Sequence, residues 1–375
     1  MAAGDVEEAA RLLEELSPPA DGEGRLTTLR RWYRWLDDRG GMEGHPMIAV
    51  RAAFLALETG RPADAERWAD AADRWPYDPA RPGAPAIDAW ATVLRASLCR
   101  HGVGQMRGDA DDAAGKLAAA GITAPVAPFV QGLARVAGGD PDGADACLKQ
   151  AVNAAQEAGP QPVLAMALCE RSLLSLARGD WDEAQPLAEQ AGGVVREAGL
   201  EDSYAAPLVF AVQARMFLHR LDADGARRAL VSAQRRRHLL SYAVPCEAVQ
   251  VRVELIRTYL ALADLAGART LMREIDELLE RRPDVGTLAG EARALRAQLA
   301  RERGARTAGA SALTAPELRL LPLLSTHLSF REIGAEMFLA PNTVKSRAAS
   351  IYRKLGAATR SEAVARSREL GLLDR

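Results

Sequence analysis

Six short segments of this chain share one grammar: GRPADA ending at Ala65, GDADDA at Ala113, GDPDGA at Ala144, GDWDEA at Ala184, LDADGA at Ala226 and ADLAGA at Ala268. The last three spacings are 40, 42 and 42 residues, aspartate holds the second place in five of the six, and glycine leads four. Each residue type has a mechanical role. Glycine ends one helix in a left-handed residue, aspartate caps the free N–H groups that open the next, and alanine in the first turn lets the two helices approach closely. Each segment is therefore read as the turn of a helical hairpin. A hairpin of this kind cannot bury its apolar face alone, so successive units must stack. An alanine-rich chain produces chance A-x-x-x-A pairs, but the recurring aspartate and the even period do not arise that way.

The stretches before the turns have helical periodicity, as in Val163, Ala167, Leu168, Leu174 and Leu176 before Gly179, or Val249, Val253, Ile256, Leu260 and Leu262 before Asp264. The array resembles degenerate tetratricopeptide repeats, with a period longer than their roughly 34 residues. That resemblance implies a helical solenoid whose concave face binds a ligand or partner. Trp32, Trp35 and Trp68 are read as inter-helix packing.

The last stretch, 313–375, carries different signals. Thr314 with Glu317, and Ser329 with Glu332, form two T/S-x-x-E capping boxes, each marking a helix start. Pro341 suits the first position of a third helix, where its missing N–H costs nothing. Along that helix Val344, Ala348, Ile351 and Leu355 fall on one face, expected to pack on Leu318, Leu321, Ile333 and Met337. Pro322, inside the first of these helices, is expected to kink or strain it. The segment holds ten Lys or Arg against six acids, whereas the whole chain stands at −2, so a basic module follows an acidic body.

Several separated blocks carry a family resemblance: Leu313-Thr314 with Glu317-Leu318, Arg331-Glu332-Ile333, Asn342-Thr343-Val344-Lys345, Ile351 to Gly356, and Arg360 with Ala363-Val364. Together they resemble the helix-turn-helix of LuxR-type transcription regulators. Farther forward, RLTTLRRWYRWL followed by HPMIAVRAAFLALETGRPADAERWADAADRW is similar to the start of the helical sensor in large ATP-dependent members of that family.

The LuxR resemblance implies a four-helix module whose third helix enters the major groove. On its polar face Lys345, Ser346 and Ala349 are the candidates for base contact, and Asn342, Thr343, Arg347, Arg353 and Lys354 those for phosphate. It also implies double-stranded operator DNA as partner, RNA polymerase as a further one, and a homodimer on DNA paired through the last helix, about 361–370.

Other chemistry is missing from the sequence. The stretch GDADDAAGKL (108–117) fails as a phosphate loop, because its spacing is wrong and no Ser or Thr follows Lys116. No ATPase module and no receiver domain are therefore expected. Cys99, Cys147, Cys169 and Cys246 form no C-x-x-C pair, and the five histidines are solitary, so no metal or other cofactor is implied. The run Arg235-Arg236-Arg237-His238 is read as a surface face rather than an anion site. No apolar run spans a bilayer and the N-terminus lacks a secretion signal, so the expectation is a cytoplasmic, non-enzymatic protein without membrane contact.

The reading is an all-α protein: a tetratricopeptide-like solenoid over 1–303 that senses a small-molecule or protein effector, a flexible tether over 304–312, and a LuxR-type helix-turn-helix module over 313–375. The competing reading is a repeat scaffold that assembles proteins and binds no specific DNA.

Overall fold

The computed structural model describes residues 6–15, 23–42, 44–78, 83–311 and 313–373. Among them are nineteen α-helices, one 3-10 turn (Arg237–Leu239) and no strand, so the protein is all-α. The chain divides into two compact units between Leu295 and Arg296.

In the first unit α1 (Val6–Glu15) and α2 (Glu23–Asp37) precede six helix pairs. These are α3 (Pro46–Glu58) with α4 (Pro62–Asp73), α5 (Ala84–Leu98) with α6 (Val103–Ala119), and α7 (Val126–Ala137) with α8 (Pro141–Ala158). They continue with α9 (Gln161–Ala177) and α10 (Trp181–Glu197), α11 (Ala206–His219) and α12 (Ala223–Arg236), and α13 (Pro245–Ala261) and α14 (Leu265–Arg281). The first helix of each pair also packs on the first helix of the next. These first helices form an inner layer. On α9 every residue from Val163 to Glu170 is buried, and on α13 every residue from Pro245 to Ile256. A helix covered all round must be apolar or satisfied on every face. On α14 only Leu265, Ala268, Leu271, Met272, Ile275 and Leu278 are buried, one stripe facing inward.

The turns follow the sequence grammar in four hairpins. Asp140, Asp180, Asp222 and Asp264 each cap the second helix by accepting a backbone N–H three residues on, from Gly143, Glu183, Gly225 and Gly267 at 2.7–3.0 Å. The residue before each aspartate is left-handed: Gly139 (φ 77°) and Gly179 (φ 79°), but then Leu221 (φ 61°) and Ala263 (φ 59°). The alanines at 65, 144, 184, 226 and 268 are fully buried between paired helices. GDADDA departs from the expectation. It lies inside α6, and the turn that opens this helix is instead Cys99 to Gly102, both left-handed in φ. Val103, Met106, Ala110, Ala113 and Leu117 bury one side of α6, and that packing carries the helix through Gly108.

The later hairpins return to the earlier ones. The Val103 N–H donates to Asp284 (3.2 Å), the Thr287 hydroxyl to the Val136 carbonyl (3.3 Å), Gln250 Nε2 to Glu170 (2.8 Å), and Arg282 pairs with Glu66. Trp68 is buried edge-on to Tyr33 as a packing residue, Arg236 pairs with Asp202, and Arg237 with Glu274.

The helix α15 (Thr287–Ser311) runs on through the stretch expected as a tether as far as Ser311, while residue 312 lies outside the described residues. Alanine and arginine, both strong helix formers, outweigh Gly304 and Gly309 there.

The second unit continues with α16 (Ala315–Leu324), α17 (Phe330–Glu336), α18 (Pro341–Leu355) and α19 (Arg360–Glu369) around Leu320, Leu321, Leu324, Ile333, Val344, Ala348, Ile351, Leu355 and Ala363. Pro322 does not end α16, which runs on to Leu324. Leu318, expected in this core, is 40% exposed, and Leu320 and Leu324 are buried in its place.

Candidate nucleic-acid interface

Both capping boxes are present, Thr314 with Glu317 at the start of α16 and Ser329 with Glu332 at the start of α17. Glu317 does more than cap. It is 5% exposed, and its carboxylate accepts from the Thr314 N–H (2.6 Å), the Ser350 hydroxyl (2.7 Å) and the Lys354 ammonium (2.7 Å). Against the cost of its burial, Lys354, the Thr314 backbone and the hydroxyls hold it as a carboxylate down to about pH 2, its pKa here. The first helix is thereby bonded to the third.

Arg360 fastens the fourth helix. Its guanidinium donates to the carbonyls of Leu323, Leu324, Thr326 and Leu328 at 2.8–3.2 Å, supplying donors to the end of α16 and the turn after it. Neither role was legible in the local sequence, because each depends on partners more than thirty residues away.

The expected inner face of α18 is in place, with Val344, Ala348, Ile351 and Leu355 all buried. The opposite face follows from it. Lys345, Ser346, Ala349, Asn342 and Arg353 are exposed, and Thr343 and Arg347 are half-buried. Among the described residues no acid lies within ion-pairing distance of Lys345, Arg347 or Arg353, whereas many arginines of the first unit are paired. Lys354 differs from the expectation, since its charge turns inward to Glu317 and it is 25% exposed.

The amino end of α18 is capped by no side chain, because Ala340 stands at the N-cap position, and Pro341 opens the helix. Pro341 has no N–H and the Thr343 N–H donates to the Ala340 carbonyl (2.9 Å), so of the first turn only the Asn342 N–H is left for an anion. The turn between α17 and α18 contributes Phe338, which the sequence analysis did not single out; it is 94% exposed and left-handed (φ 55°). The arrangement presents a short polar surface with cations unpaired among the described residues, on a rod held by an apolar core and by Glu317.

Residues 311–367 match the family described as bacterial regulatory proteins, luxR family. The chain is similar to the "Probable transcriptional regulatory protein NarL" of Mycobacterium tuberculosis, in strains CDC 1551 / Oshkosh and ATCC 25618 / H37Rv, at 37% identity over 90 residues. That match covers 24% of this chain and 37% of the length of each relative. The C-terminal segment is thus a LuxR-type helix-turn-helix domain.

Proposed function

We propose that the protein is a DNA-binding transcription regulator without catalytic activity, in which α18 reads operator DNA in the major groove and the helical hairpins sense an effector. The observation that carries the proposal is the outer face of α18. Lys345, Ser346 and Ala349 are exposed together at helical spacing, with Arg353 and Arg347 uncompensated beside them, while the opposite face is wholly buried. Lysine donates to guanine acceptors, serine serves as donor or acceptor, and alanine meets a thymine methyl. Asn342, Thr343, Arg347 and Arg353 then serve the phosphates, which set register and supply most of the salt-dependent affinity. Lys354, engaged by Glu317, supports the helix instead.

A single module of this size buries roughly 600–1,000 Å² on DNA, so specific binding calls for two copies on paired half-sites. The pairing through α19 follows from the family resemblance and makes the regulator a homodimer on DNA. No helix among the described residues is long and apolar enough to cross a membrane. Selection of bound fragments from a randomised duplex pool by the full chain tests the reading. Enrichment of a two-fold symmetric site is the expected result. Recovery of unenriched sequence at low salt, or of no DNA, removes the specific-regulator reading in favour of an interaction scaffold.

A further inference from the structure

The inner helices of the first unit enclose a cavity of about 250 Å³, and its chemistry is lopsided. Phe54, Trp90, Phe129 and Tyr204 line it together with aliphatic side chains, and Glu58 and Glu247 stand in the same wall, with no lysine, arginine or histidine among the lining residues. Glu247 is 7% exposed and its Oε2 has no hydrogen-bond partner. Among the described residues no hydrogen bond or ion pair reaches the Glu58 carboxyl, which keeps part of its surface open to the cavity. Both carboxyls push the Tyr204 hydroxyl further up, and all three groups line the same space.

A buried acceptor left without a donor is expensive, and two acids without a cation in an apolar wall are more so. Burial pushes Glu58 and Glu247 up to about 7, so each holds a proton near neutral pH when nothing compensates it. An adjoining recess of about 390 Å³ shares Glu58, Pro162 and Tyr204 and reaches Thr27 on α2. The arginine of that recess, Arg236, is already engaged by Asp202 (2.6 Å).

We propose that this cavity is the effector site of the repeats and that it takes a small organic amine, the ammonium received by Glu58 and Glu247 and the apolar body seated against Phe54, Trp90 and Phe129. The site is smaller than pockets for drug-sized ligands, roughly 300–1,000 Å³, so the body is a single ring or short chain. An ammonium supplies the missing donors and the missing charge together, and it lies against aromatic faces that attract cations. An anion of the same shape meets two acids and no base. The assignment of effector to this site rests on the regulator reading; the amine specificity rests on the cavity alone.

Calorimetry on the full chain at about pH 7, with 2-phenylethylamine and n-octylamine as probes and 2-phenylethanol and phenylacetate as controls, tests the specificity. The expected result is saturable binding of at least one amine, about tenfold or more tighter than the alcohol, with none for phenylacetate. Glu247→Gln and Glu58→Gln, near-isosteric changes whose folding is checked by circular dichroism, each weaken the amine by about tenfold or more. Equal binding of amine and alcohol, unchanged amine binding in both variants, or no amine binding overturns the amine site.

Anisotropy titration of the selected duplex with and without the bound amine then tests the role. A shift in DNA affinity of about threefold or more supports an effector site, and unchanged affinity overturns that role. Should the full chain bind no DNA, the regulator reading falls and the effector role with it, while the calorimetry decides the amine site independently.

Discussion

Replacing Glu317 by glutamine removes the charge that bonds the first helix of the C-terminal domain to the third. In the folded chain this carboxyl titrates near 2, about 2.5 units below its ordinary 4.5, and its side chain is 6% exposed, so solvent screens little of the interaction. At about 1.4 kcal/mol per unit, the ionised form contributes roughly 3 kcal/mol at neutral pH. Glutamine keeps the shape but loses that charge, leaves Lys354 without its anion, and turns an amide N–H₂ toward groups that are themselves donors.

The free energy of local opening should therefore fall by roughly 3 kcal/mol, and amides of α18 should exchange with deuterium about a hundredfold faster at pH 7. Since the folded pKa is depressed, this stability is present above 4.5 and is lost as pH falls through about 2. At pH 2.5 the difference between the chains should shrink to less than about tenfold. Exchange within about threefold of the parent at pH 7, or a difference that persists undiminished in acid, would refute the reasoning.

Lys345→Ala and Ser346→Ala should relax preference for the selected site, whereas Arg353→Ala should weaken all duplexes alike and reduce the salt slope by about one; unchanged footprints and slopes in all three would remove the assigned reading face. Arg360→Ala deprives four carbonyls of a charged donor and should lower the opening free energy of the C-terminal domain by about 2–4 kcal/mol, read as faster exchange at the end of α16. Leu221→Gly and Ala263→Gly relieve left-handed side-chain residues and should each stabilise the hairpins by about 1 kcal/mol in urea unfolding. Glu170, wholly buried and pushed up to about 8, should make the parent less stable as pH rises from about 4.5 to 8, by up to about 1.4 kcal/mol per unit. Glu170→Gln should flatten that slope, and equal slopes in urea titrations at pH 5 and 8 would contradict the assignment.

Features carried by a few consecutive residues are legible in the sequence. The two capping boxes, Pro341 at a helix start, and the aspartate caps at 140, 180, 222 and 264 all depend on hydrogen bonds or torsions within one turn, and they appear where the residue types demand them. The buried stripe of α18 was legible for the same reason, since helical spacing alone sets which residues share a face. Local grammar failed where packing outweighed it. Gly108 and Asp109 copy the turn motif yet continue α6, because the residues around them bury a full stripe.

What the sequence by itself determined is the all-helical class, the hairpin caps and the polar outer face of α18, because each is decided by residues within one or two turns. Only the tertiary structure decided that Glu317 claims Lys354, that Arg360 gathers four carbonyls, and that Glu58, Tyr204 and Glu247 meet in one apolar space. Those groups stand between thirty and nearly two hundred residues apart, and a charge acquires its partner or its isolation only when the chain has closed around it.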